Sequence, residues 1–331
     1  MSGRASLSPS LIPVATSGAG TSRGAPPRSL CSWLAGPVWL VAAMLTWRLP
    51  DADDFPDTPR LTAVFALVGV ALIVATSLRK LTCRAPWAIA LGVFFGAWEV
   101  LQAKLLCLPR PFFGTPQDLL DVFMTDWRKL GDSLLHSLAL LAVGYGSGAV
   151  AGIAVGAGLG RSARFRYWVR PLIRLIGPLP PVALLPLTFV LIPSSRLAGE
   201  ALMALAAGFP VAVLTWSGIA AVDPAYDDIA RTMGAGHRFL LLRVALPAAT
   251  PQIFVGLFMG LGASFAMLVV AEMLGVKAGL GFYLQWAQGW AAYPNMYAAL
   301  LVMSLMCTGL MTILFAARDR LLNWQKDGLK W

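Results

Sequence analysis

Apolar runs, most of them close to 20 residues long, recur along the chain at 33–47, 61–78, 86–106, 133–159, 172–192, 197–221, 251–273 and 296–317. A helix rises 1.5 Å per residue, so about 20 residues cross the roughly 30 Å hydrocarbon core of a bilayer. Lipid offers backbone amides no water, and a single apolar segment can satisfy its own amides there only as a helix. The runs therefore predict an all-α fold, a polytopic transmembrane helical bundle of about eight spans. The composition agrees: 58% of the residues are hydrophobic and 13% charged, against roughly a quarter charged in soluble domains. The mean hydropathy is +0.71.

Two runs are irregular. The run at 33–47 is short enough for a signal-peptide core, but it begins well inside the chain, and Asp51, Asp53, Asp54 and Asp57 follow it without an A-x-A cleavage site. The run at 172–192 contains Pro178, Pro180, Pro181 and Pro186, and proline removes a backbone donor and kinks a helix. Broken backbone at membrane depth needs protein or a water-filled cavity around it, so this run is expected inside the bundle or beside a pathway. Residues 1–32 are rich in Ser, Gly, Pro and Ala, carry only Arg4, Arg23 and Arg28 as charges, and show no apolar periodicity. They are expected to form a disordered cytoplasmic tail.

The net charge of +10 is not that of a nucleic-acid binder, because the basic residues lie in clusters between apolar runs and form no basic face. They set the orientation instead. With the N-terminus inside, cytoplasmic stretches hold 18 of the 26 lysines and arginines, among them Arg161, Arg164, Arg166, Arg170 and Arg174. Both termini are expected in the cytoplasm, in a multi-pass protein of the bacterial inner membrane.

No catalytic residues and no metal ligands stand out. Cys31, Cys83, Cys107 and Cys307 lie in or beside apolar runs with no CxxC pair, and His136 and His237 are isolated. The chain has no G-x-x-x-x-G-K-[ST] phosphate loop, so any ATP-driven work needs a second protein.

Residues 221–250, AVDPAYDDIARTMGAGHRFLLLRVALPAAT, are too polar to cross a membrane. Asp223 before Pro224 gives an N-cap and a first-turn proline, and Asp227 and Asp228 put negative charge near the positive end of the helix dipole. Gly234 suits the left-handed conformation that ends a helix, and Gly236 loosens the turn. A second short helix over 237–246 is expected to end at Pro247, and Thr250-Pro251 to start the next span. The segment reads as a knob projecting between two spans, or as an ordinary connecting loop.

This segment resembles the "EAA" loop of ABC-importer permeases, whose pattern is E-A-A, three residues, G, nine residues, I, one residue, L-P. With its glycine on Gly234, Asp228 takes the Glu position, Ile229 and Ala230 the two Ala, Val244 the Ile, and Leu246 and Pro247 the L-P, with no gap. Asp for Glu, Ile for Ala and Val for Ile depart from the literal pattern. Pro109 with its neighbours Leu108, Arg110 and Pro111, the glycines Gly152, Gly156, Gly158 and Gly160, the proline-rich run 178–187, 270–274 and 278–281 are similar to the nitrate, sulfonate and taurine branch of that family. The resemblance covers residues 86–331.

The resemblance implies a permease subunit that forms the translocation pathway for a small anionic solute, such as nitrate, sulfonate, taurine or a bicarbonate-like ion. It implies a second copy of the chain as a homodimer partner, a cytoplasmic ABC ATPase dimer that carries ATP and Mg, and a periplasmic solute-binding protein. The chain itself carries no cofactor, and Asp228, Ala230, Gly234, Val244, Leu246 and Pro247 are the ATPase-coupling positions. The branch has six spans, so 33–80 would be two additional N-terminal helices and 81–331 the permease domain, with its coupling loop at 221–250.

Charged residues at bilayer depth cost roughly 2.5–3.5 kcal/mol, so Glu99, Lys104 and Glu272 need an account. Glu99 and Lys104 are five apart, off a common α-helical face, and Lys104 can snorkel to a surface. Glu272 ends its run before a glycine-rich stretch, at a mouth or turned inward. Ser264, Glu272 and Gln285 are the pathway candidates, while Tyr283, Trp286, Trp290 and Tyr293 read as interfacial aromatics. The alternative is a self-contained secondary transporter or channel using Glu99, Lys104 and Glu272 as its ion route.

Overall fold

The computed structural model describes residues 30–51, 57–77, 85–107, 109, 112–177 and 179–322, and all regular structure among them is helical. The expected tail, apart from its last residues, lies outside the described residues, as do Asp227 and His237 side chains. Every apolar run falls on a helix or a bent pair of helices. Six helices among the described residues are long and apolar enough to cross a membrane, or seven if one bent pair is a single span. The 19-residue helix α1 (Leu30–Arg48) stands outside that count.

Two compact units divide the chain. The first takes in the described residues of Met1–Leu49 and Thr62–Ala97, so it holds α1, most of α2 (Thr58–Ser77) and most of α3 (Ala85–Glu99). Trp39 binds these helices together. Its indole donates to the Ala88 carbonyl at 2.9 Å, its ring meets Phe65 edge-on at 5.6 Å, and a Cβ on Gly92 would lie 2.8 Å from its nitrogen. The unit contains parts of three helices, and the small face of α3 packs on α1.

The second unit takes in the described residues of Pro50–Leu61 and Trp98–Trp331. Its centre is a three-helix packing of α5 (Trp127–Arg161), α8 (Ser195–Ala220) and a long helix that ends in Leu246–Leu274, numbered α11 below. In lipid, apolar side chains gain little by leaving one apolar surface for another, so helices associate where small residues let backbones approach. Gly144, Gly148, Gly152 and Gly156 recur every fourth residue of α5 and form such a seam. A Cβ on Gly152 would sit 2.8 Å from both the Gly208 carbonyl and Val211 Cβ on α8. On its other side α8 receives Gly256 and Gly260. Two hydrogen bonds tie the trio: Ser264 Oγ donates to Met203 O at 2.9 Å and Tyr145 OH to Leu257 O at 3.1 Å.

The proline-rich run is a bent pair. α6 (Ala163–Ile176) ends before the prolines, and a 3₁₀ turn, Pro181–Leu184, leads into α7 (Leu185–Leu191) at 88° to it. Pro180 is extended, and Pro181 and Pro186 start helical pieces where no amide donor is needed. The expected run 172–192 is therefore not one helix.

The segment after α8 forms α9 (Pro224–Thr232) and α10 (His237–Phe239), which passes through a π turn, Leu240–Ala245, directly into α11. The second short helix was expected to end at Pro247, but the helix continues. The π turn shifts hydrogen bonding to i→i+5, as in Leu246 N–H to Leu241 O, and Pro247 follows at the start of the next α-helical stretch. Thr250 and Pro251 likewise lie inside α11, with Thr250 Oγ1 donating to Leu246 O at 3.1 Å. Leu240–Leu274 is thus one 35-residue span, about 50 Å long at 1.5 Å per residue. α12 (Leu280–Gly289) and α13 (Tyr293–Leu321) complete the unit, with α4 (Pro116–Thr125) ahead of α5.

Candidate functional site

Two polar constructions sit at opposite ends of α11. At its N-terminal end, Asp223 has extended backbone and its Oδ1 accepts the Ala225 N–H at 2.9 Å, so α9 starts where the Asp-Pro pair predicts. It ends at Gly234, whose φ of +82° is the left-handed conformation that glycine adopts most cheaply. Gly234 N–H donates to Arg231 O at 2.9 Å and Ala235 N–H to Ala230 O at 3.0 Å. These are the two bonds of a Schellman motif, which satisfies the last carbonyls of α9 locally. Both ends of α9 are thus capped by residues of its own segment.

What α9 presents was missed in the sequence, although its spacing was there to read. Tyr226, Ile229 and Met233 lie three and four apart, on one face, and are 62%, 60% and 82% exposed. The stripe lies open on a nine-residue helix capped at both ends. Of the coupling candidates, Asp228 is exposed, Ala230 half-buried and Gly234 exposed in the turn. Val244 lies in the π turn, with Leu246 and Pro247 just beyond it, so these three belong to the base of the span and not to the exposed helix.

At the C-terminal end of α11, Glu272 is 1% exposed and both carboxylate oxygens are engaged. Oε1 accepts the Ser137 hydroxyl at 2.7 Å and Oε2 accepts the Gly281 N–H at 2.7 Å. Ser137 Oγ in turn accepts the Leu280 N–H at 2.9 Å. A carboxylate and a hydroxyl thereby satisfy the first two amides of α12, where the helix dipole favours negative charge. Gly279 leads in with φ +102°, and a Cβ there would overlap the carboxylate. Glu272 clasps α5, α11 and α12, which answers whether it turns to a mouth or inward. Ser137 lies 135 residues away, and nothing local in the sequence announces it.

The remaining polar residues are similarly placed in structure. Ser264 is buried against α8, while Gln285 is exposed on α12. Among the described residues no hydrogen bond joins any two of Ser264, Glu272 and Gln285, so they form no single cluster. Nearby, Asp126 Oδ2 accepts from Tyr283 OH at 3.2 Å and Asn295 Nδ2 at 3.0 Å, tying α5, α12 and α13. Burial pushes the Tyr283 phenol up to about 12. Glu99 and Lys104 do share a face, because α3 continues as a π turn, Val100–Lys104, in which residues five apart align. Lys104 Nζ lies 3.9 Å from Glu99 and 2.5 Å from Asp51, and Gln117 donates to Glu99 at 2.6 Å. Lys104 pairs within the protein instead of snorkelling. Among the described residues no group of His, Cys, Asp and Glu could hold a metal ion.

Residues 148–326, which contain the whole α9–α11 segment, match the family described as binding-protein-dependent transport system inner membrane component. The chain belongs to that family. The taurine transport system permease protein TauC of Escherichia coli is 34% identical over 72% of this permease and 88% of its own length. The nitrate import permease protein NrtB of Leptolyngbya laminosa is 30% identical over 70% and 84%, and the bicarbonate transport system permease protein CmpB of Synechococcus elongatus 28% over 57% and 66%. These relatives bear out the resemblance of the permease to the nitrate and taurine branch. The permease is a transport component and not an enzyme by family.

Proposed function

We propose that this permease is the membrane subunit of an ATP-driven importer of a small anionic solute, and that α9 couples it to a separate cytoplasmic ATPase dimer. The observation that carries the reading is α9 itself, a helix capped at both ends, with its Tyr226–Ile229–Met233 stripe open, held between the spans α8 and α11. A groove on an ATPase would receive that stripe. Because α9 is capped at both ends and joined through a four-residue turn and the three-residue α10 to the 35-residue span, displacement of the docked helix passes into α11. Two copies would enclose the pathway, and a periplasmic binding protein would deliver solute at the α12 end. Both termini and α9 face the cytoplasm in this reading, in keeping with the distribution of arginine and lysine. The relatives' names mention nitrate, taurine and bicarbonate, which share an anionic oxygen group, and that supports the solute class.

The rival reading, a self-contained transporter running ions over Glu99, Lys104 and Glu272, is less favoured, because Glu272 is committed to Ser137 and α12 and Lys104 to Asp51. Proteoliposome uptake of nitrate, taurine and bicarbonate decides between them. With the neighbouring ATPase and binding protein, uptake should require ATP. Uptake by the isolated chain driven by an ion gradient would favour the rival.

A further inference from the structure

α6 carries Arg164, Arg166, Arg170 and Arg174 and has no buried residue. Arg166, Arg170 and Arg174 recur every fourth residue, on one face, and with Tyr167 they line an open groove of about 730 Å³. Among the described residues no carboxylate lies within ion-pair distance of these three arginines. Their positions are nevertheless fixed. Arg166 donates to Leu159 O at 2.8 Å and Gly160 O at 2.9 Å, the last turn of α5, and the Arg170 guanidinium lies 5.7 Å from the Trp216 ring centroid on α8. Leu175, 70% exposed, borders the groove itself, and Trp168 and Leu172 on the opposite arc are 74% and 54% exposed.

A helix with an arginine face and an exposed apolar arc lies in the plane of a membrane interface, heads up and apolar side toward the acyl chains. Guanidinium forks match phosphate oxygens and keep their charge. We propose that the Arg166–Arg170–Arg174 groove of α6 holds the headgroup of an anionic phospholipid, whose acyl chains run beside Trp168, Leu172 and Leu175. A soluble anion would use the arginines but leave that apolar arc in water, whereas a lipid uses both. In the orientation proposed above this is the cytoplasmic leaflet, but the groove does not depend on it.

The full chain in phosphatidylcholine nanodiscs, with trace spin-labelled phosphatidylglycerol or spin-labelled phosphatidylcholine, tests the idea. The immobilised fraction should favour phosphatidylglycerol, and the double variant R170Q/R174Q should lower that preference about 25-fold, since each basic residue near a surface contributes on the order of fivefold. Arg164→Gln, off the groove, should leave it unchanged. The proposal is overturned if the unaltered chain shows no preference between the lipids, which needs no variant to read. It is equally overturned if Arg164→Gln lowers the preference as much as the double variant, because bulk charge would then suffice. Inorganic phosphate binding to the detergent-solubilised chain without lipid preference would assign the groove to a soluble anion. Dissociation of a dimer in R170Q/R174Q with lipid retention unchanged would assign it to a second copy. Both faces of a nanodisc offer the same lipids, so the result stands whichever way the chain is oriented.

Discussion

The two ends of α11 are stiffened by opposite means. At Glu272 the chain recruits distant partners: one carboxylate and one hydroxyl from different helices satisfy the start of a third, and all of it is buried. At α9 the chain recruits only neighbours, Asp223 before the helix and Gly234 after it, and leaves the product exposed. The first end is complete within this chain. The second is capped but uncovered, which is how an element should look if its partner is another protein. Stability should therefore be sensitive at the Glu272 end and function at the α9 end.

The largest expected loss of stability follows Glu272→Leu. It removes the acceptor for both Ser137 and Gly281 in a buried place, and each stranded donor costs about 1–3 kcal/mol, so thermal unfolding of the purified chain should fall by an amount worth about 3 kcal/mol. Glu272→Gln, which keeps one acceptor oxygen, should lose less. An unchanged unfolding temperature in Glu272→Leu would show that the clasp is incidental and would collapse the contrast between the ends.

Next comes the seam that holds α11's neighbours. Gly152→Leu drives a side chain into Gly208 and Val211, and overpacking of this kind costs about 1–3 kcal/mol. The same unfolding assay should register it, with the Tyr145–Leu257 and Ser264–Met203 links strained as α5 and α8 separate. A neutral result would mean that the seam is loose enough to yield.

The sequence made the α9 end legible and the Glu272 end not, for a physical reason. Asp223-Pro224 and Gly234 act on amides within a few residues, so their meaning is local. The prolines near 180 likewise announced the break between α6 and α7. Thr115-Pro116 with Asp118 is the same kind of local signal and builds a complete capping box for α4. Glu272 depends on Ser137 across 135 residues of chain, a distance over which local pattern carries no information. The π turns at Val100–Lys104 and Leu240–Ala245 were hidden for another reason. One extra residue per turn changes which residues share a face without changing composition, so α-helical spacing separates Lys104 from Glu99 and the sequence pattern starts the span at Pro251 rather than at Leu240.

The smallest change in stability, and the largest in function, is expected at Gly234 and Asp228. A β-branched residue at positive φ costs about 1–2 kcal/mol locally, and reversing charge near a helix N-terminus costs about 0.3–1 kcal/mol. Neither reaches the buried trio of α5, α8 and α11. The decisive measurement is co-purification of the neighbouring ATPase, with solute uptake alongside, for Gly234→Val and Asp228→Lys. The account predicts chains that insert and unfold at nearly the unaltered temperature, yet retain much less ATPase or hydrolyse ATP without uptake. Normal ATPase retention and normal uptake in both variants would contradict it, and would reduce α9 to a connecting loop.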